Sequence, residues 1–133
     1  MQLTPTSSRN ALRAVFYVTG GVATTAGFHT VLTGAKSLPR QGLANPTVES
    51  ELRFYAAFYV AYGLAALRVA PRADRDTTSV RGLAGALFLA GLARVPGWLA
   101  TGRPHRLQIA LLAIELAAPP SIVAWQARLA ARS

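Results

Sequence analysis

The chain has 133 residues, 52% hydrophobic and only 14% charged, where ordinary soluble domains carry about 25% charged residues. It has no cysteine and two histidines, His29 and His105, which excludes a disulfide framework and a thiolate metal site and argues against any dedicated metal or cofactor site. The net charge of +9, from thirteen arginines and one lysine against five acids, invites a nucleic-acid reading, but the arginines punctuate apolar runs as loops flanking membrane spans do, so the expected partner is a lipid bilayer and not nucleic acid.

Residues 1–10, MQLTPTSSRN, are polar and contain a proline, and read as a short N-terminal tail; residues 11–133 then form a single membrane domain. Ala11 to Thr33 is the first expected span, charged only at Arg13 and filled with small residues that let helices approach closely in lipid. It is too long and too evenly small-residue-rich for a cleaved signal peptide. Residues 34–47 read as a connector. The second span opens at Asn45-Pro46 with Thr47 as the expected N-cap, and Glu49 and Glu51 sit at the positive end of the helix dipole. The fourteen residues between Arg53 and Arg68 are all Ala, Val, Leu, Phe, Tyr or Gly, so this segment is long enough to cross a bilayer. Glu51, Tyr55, Phe58, Tyr59 and Tyr62 fall on one helical stripe, and a stripe with a carboxylate and three phenols is expected to face protein or ligand rather than lipid.

Val80 to Thr101 is the third span. Asp76 or Thr78 is its expected cap, Arg94 lies inside it, and Pro96-Gly97 is expected to break or kink it near Trp98, placed in the interfacial belt. After the loop TGRPHR, Arg106 to Leu129 is the fourth span, with Glu115 near its middle. Pro119-Pro120 removes two ladder donors there and predicts a bend or break.

The expected fold is thus all-α: an up-and-down four-helix transmembrane bundle with short loops and a Pro-kinked fourth helix. Eight basic residues lie on the terminal side (Arg9, Arg13, Arg68, Arg72, Arg75, Arg81, Arg128, Arg132) and four on the other (Lys36, Arg40, Arg103, Arg106). That bias places both termini in the cytoplasm of a bacterial plasma membrane.

The stretches ESELRFYAAFYVAYGLAAL, GALFLAGLARVPGW and TGRPHRLQIALLAIELAAPPSIVAWQARLA resemble the small bacterial membrane proteins grouped as domain of unknown function 4345. The marks are Glu51, Arg53, Tyr62, Gly91, Arg94, Gly102, Pro104, Glu115 and Pro119-Pro120. The resemblance implies a four-helix membrane protein, of the kind seen in DoxX-like bundles, and carries no activity to transfer.

Depth read from distance to the loops places His29, Glu51, Arg53, Arg94 and Glu115 in one leaflet. The functional reading is a polar pocket walled by Tyr55, Tyr59, Tyr62 and Trp98, with His29 and Arg53 as further ligand-binding residues. Such a pocket would take a lipid or another lipophilic small molecule. In an enzyme of the isomerase or cyclase type, Glu51 or Glu115 would be the acid or base and Arg94 the anion-binding group. A proton-coupled transporter is a third reading. The structural reading is that the charges neutralise one another and that the small-residue faces serve a homo-oligomer or a larger membrane complex. Arg94 and Glu115 are expected to pair, because their depths nearly match, each side chain leans toward the other, and an unpaired charge at that depth costs about 3 kcal/mol.

Overall fold

The computed structural model describes residues 4–132. It is all-α, with four long helices: α1 (Pro5–Thr33), α2 (Pro46–Val69), α3 (Thr77–Thr101) and α4 (Arg106–Ala130). Short 3-10 turns at Gly34–Ser37 and Ala70–Arg72 follow α1 and α2. The region from Pro46 to Arg72, α3 and α4 are long and apolar enough to cross a membrane. The first helix is the longest but the least apolar of the four expected spans, because threonine, serine and glycine dilute its aliphatic residues.

The helix boundaries depart from expectation mainly at N-termini. α1 begins at Pro5, within the stretch expected to be a loose tail, with the Thr4 hydroxyl accepting from the Ser7 amide at 3.3 Å. The first three residues of that tail lie outside the described residues. Asn45, not Thr47, caps α2. Its side chain accepts from the Val48 amide at 3.0 Å, and Pro46 takes the first helical position, where a missing N–H costs nothing. Of the break or kink expected at Pro96, a break does not occur, and α3 runs on to Thr101. α4 likewise continues through Pro119 and Pro120. Neither proline brings an N–H, so the carbonyls of Glu115 and Leu116 have no i+4 amide donor.

Two compact units organise the chain. Residues 13–71 pair the rest of α1 with α2. Their contact is backbone to backbone: a Cβ built on Gly20 would stand 2.8 Å from the Gly63 carbonyl, and one on Gly27 would stand 3.0 Å from that of Ala56. The face of α2 that is buried is accordingly Ala56, Gly63 and Ala66.

Gly34 ends α1 with a φ of 60°, a left-handed conformation that favours glycine. Here Glu49 closes the connector: its carboxylate accepts from the amides of Ala44 at 2.9 Å and Ala35 at 3.3 Å. Arg53 donates to the terminal α1 carbonyls of Val31 at 2.6 Å and Leu32 at 3.1 Å, and to Glu49 at 3.4 Å.

The other unit comprises the first turns of α1 with residues 72–132, and its centre is the α3–α4 hairpin. The Trp125 indole donates to the Ser8 hydroxyl at 2.8 Å, and buried Gln126 donates to Thr77 at 2.8 Å. Asp76 caps α3, as one of the two expected candidates. It accepts from the Ser79 amide at 3.1 Å and from Arg72 Nε at 2.9 Å.

The Arg72 hydrogen bond, then the Ser79 amide, hold the Asp76 carboxyl below its ordinary value. A carboxyl with a lowered folded-state pKa stabilises the fold above its unfolded value, about 3.9, and that contribution fades as pH falls through the folded value. Asp76→Asn keeps a capping oxygen but no titratable group. Acid unfolding monitored by circular dichroism in detergent should therefore be shallower below pH about 4 in Asp76→Asn than in the parent, and Asp76→Ala should lower the melting midpoint at neutral pH. Identical acid limbs in parent and Asp76→Asn would refute this role.

Candidate functional site in the third and fourth helices

The strongest polar constellation sits on the α3–α4 hairpin. Gly91 opens the way for it. A Cβ there would fall 2.9 Å from that of Glu115 and 3.0 Å from Leu116 Cδ2, so only hydrogen lets α4 come this close. One turn further along α3, Arg94 reaches across. Its Nε donates to Glu115 Oε2 at 2.6 Å and its Nη2 to Oε1 at 2.9 Å. This fork-to-fork geometry is the strong form of the pair. Nη1 donates to Gln108 Oε1 at 2.8 Å. The Glu115 side chain is 5% exposed and that of Arg94 is 37% exposed, so the carboxylate is buried behind the guanidinium, which shows one edge outward.

That edge belongs to the wall of a half-open pocket of about 320 Å³ at the α3–α4 turn, at the small end of the range for ligand sites. Trp98 and Leu112 give it an apolar side; Arg94, Arg103, Thr101 and Gln108 give it a polar one. Gly97 lies in its wall with open space where a side chain would go. At the turn, Gly102 has a φ of 91°, and His105 caps α4 by accepting from the Leu107 amide at 3.2 Å. The first turn of α4 carries no acid, so nothing there offsets the positive end of the helix dipole.

The sequence-derived set is divided between the two units. Arg94, Glu115 and Trp98 belong to the α3–α4 unit, and the first two form the pair their depth and lean require. His29, Glu51, Arg53, Tyr55, Tyr59 and Tyr62 belong to the α1–α2 unit. There the tyrosine stripe is not the face of α2 that packs on α1. Glu51, Tyr55, Phe58 and Tyr59 are exposed, Tyr62 is half-buried, and the packed face of α2 is the small-residue one. Backbone contact with α1 admits glycine and alanine and leaves no room for rings. Phe54 stacks edge-on with Tyr55 and Phe58 on the outward side. His29 is exposed, and Arg53 is engaged at the end of α1.

Gln108 was not among the expected residues, although a signal existed: it lies seven residues before Glu115, two turns along the same face of α4. The contributions of Gly97 and Thr101 carried no such signal, because a glycine's role in a wall depends on what is absent.

A family model described as Domain of unknown function (DUF4345) matches residues 11–126, spanning both units and the whole hairpin. The chain belongs to the DUF4345 family. No curated protein and no solved structure matches this DUF4345 protein. The matched range of the DUF4345 chain includes Gly91, Arg94, Trp98, Gln108 and Glu115, so the pocket and the ion pair lie within the family region.

Proposed function

We propose that this membrane protein crosses the bacterial plasma membrane with both termini in the cytoplasm and binds a lipid or other amphiphile in the α3–α4 pocket, on the outer side. The pocket itself carries this reading: an apolar wall of Trp98 and Leu112 meets a polar wall containing Arg94 and Gln108, the lining an amphiphile needs. The hairpin also exposes large apolar residues such as Leu89 and Leu99. Of the most apolar windows of α3 and α4, only 11% is buried within the chain, so acyl chains have surface to follow outside the pocket. The orientation rests on four crossings. α1, at 29 residues, is about 43 Å long at about 1.5 Å per residue, longer than the roughly 30 Å hydrocarbon core.

The accessory-subunit reading is favoured by a separate observation, the exposed Phe54, Tyr55 and Phe58 group on α2, which suits lateral contact with another membrane protein. The enzyme reading gains no support. Both oxygens of Glu115 are occupied by Arg94, and Glu51 is exposed on α2.

Thr101 lines the pocket and the chain has no cysteine, so Thr101→Cys reports on both points of the proposal. A membrane-impermeant maleimide should label it in intact cells. On purified protein, its labelling should slow in nanodiscs of mixed phosphatidylcholine and phosphatidylglycerol relative to lipid-free detergent, with Ser37→Cys as the reference. Labelling only from the cytoplasmic side would overturn the orientation, and an unchanged rate ratio would overturn occupancy of the pocket.

A further inference from the structure

We infer that the α3–α4 pocket is specifically a phosphate site, taking either the phosphate of an anionic lipid headgroup or free inorganic phosphate. The lipid source rests on the amphiphile reading above. Two guanidinium groups, Arg94 and Arg103, line the pocket, and no carboxylate does. Glu115 lies behind Arg94 and spends both oxygens on it. Counting Glu115, the three groups sum to one positive charge, so the site attracts an anion and would leave a cation uncompensated.

Arg94 is also held in place. Three hydrogen bonds, two to Glu115 and one to Gln108, fix the plane of its guanidinium, so little side-chain entropy remains to be lost when a ligand oxygen arrives. Gln108 accepts through Oε1, which turns its Nε2, a pure donor, to the other side of the amide. Exposed Arg103 follows immediately after Gly102, at the mouth, where its flexible side chain can close over a bound group. A fixed arginine, a mobile arginine and an amide donor around a cavity of about 320 Å³ match a tetrahedral oxyanion, which takes several charge-assisted donors at once. Trp98 beside them suits the glycerol and first methylenes of a lipid, as interfacial indoles do.

Trp98 lines the pocket and can report on it. In a Trp125→Phe background it is the remaining tryptophan, and the protein is reconstituted in phosphatidylcholine vesicles containing a minor fraction of brominated phosphatidylglycerol or brominated phosphatidylcholine. The expected result is that the anionic probe quenches Trp98 about fivefold more effectively than the zwitterionic one, the preference one well-placed arginine confers. Arg103→Gln should remove the preference. Gly97→Leu should remove it too by filling the pocket; a Cβ at Gly97 meets nothing within 4 Å, and an unchanged circular-dichroism melting midpoint checks that the variant folds. Inorganic phosphate that abolishes the preference assigns the site to free phosphate, and phosphate without effect assigns it to the headgroup. If both probes quench equally and Gly97→Leu relieves both, the pocket binds lipid without reading phosphate; this inference falls and the amphiphile reading stands. If Gly97→Leu relieves neither, both fall. A phosphatidylglycerol preference that survives both substitutions belongs to the general positive charge of the chain and also overturns the site.

Discussion

Glu115→Gln and Arg94→Gln should each lower stability in detergent by about 2–3 kcal/mol, and the double variant should recover part of that loss. Removing one member of a fully buried pair costs about 3–5 kcal/mol, because the other charge is left without compensation. The figure here is smaller because the Arg94 side chain is 37% exposed, and water replaces part of what Glu115 supplies. The two substitutions are not symmetrical. With arginine gone, the Glu115 carboxylate, 5% exposed in the intact pair, is left between the helices without its compensating charge. With glutamate gone, Arg94 keeps Gln108 and its outward edge. Glu115 should therefore be the better tolerated residue to lose, and Arg94 the worse. The readout is the thermal midpoint of the two singles and the double in one detergent. A coupling energy near zero would mean that the short Nε–Oε2 contact contributes nothing to the hairpin.

Gly63→Val should destabilise the α1–α2 pair by about 3 kcal/mol or more, at the upper end of overpacking costs. A Cβ on Gly63 would stand 2.8 Å from the Gly20 carbonyl oxygen and would overlap the Thr24 hydroxyl. The obstacle is largely backbone, which cannot rotate away as a side-chain end can, so the helices must separate along their length and lose the dispersion contacts that hold them in an apolar solvent. Gly85→Val is the control, since a Cβ there meets nothing within 4 Å and valine is a somewhat better helix former than glycine. Equal unfolding midpoints for the two variants would show that the close approach at Gly63 contributes nothing.

Much of the fold was legible because membrane helices announce themselves by length and by charges at their ends. The α3 cap at Asp76 and the Arg94–Glu115 pair were legible for a related reason: both follow from register along a helix, which sequence encodes directly. What was not legible was which face of α2 packs on α1. Polarity favoured the tyrosine stripe, but the pairing with α1 is governed by how closely backbones approach, and Gly20, Gly27 and Gly63 bid higher than hydroxyl groups. The prolines of α3 and α4 were read as kinks or breaks because each removes a ladder bond; a helix of 25 residues absorbs one missing bond in α3 and two in α4 without ending. The pocket was half legible. Its charged and aromatic members stood out in the apolar runs, whereas its shape depends on Gly97 and on the positive φ of Gly102, which only geometry reveals.

The Arg94–Glu115 fork has a consequence for how the chain enters its membrane during synthesis. α3 arriving alone would bring a bare guanidinium into hydrocarbon, at about 3 kcal/mol on insertion scales, and α4 arriving alone would bring a bare carboxylate at a similar cost. The residues joining them, Gly102–His105, form a short non-helical link, so the closure entropy of bringing the two charges together is small. The least costly form for insertion is therefore the two helices already paired, with the salt bridge formed before lipid closes around it, so this half of the protein is expected to enter as a hairpin rather than helix by helix.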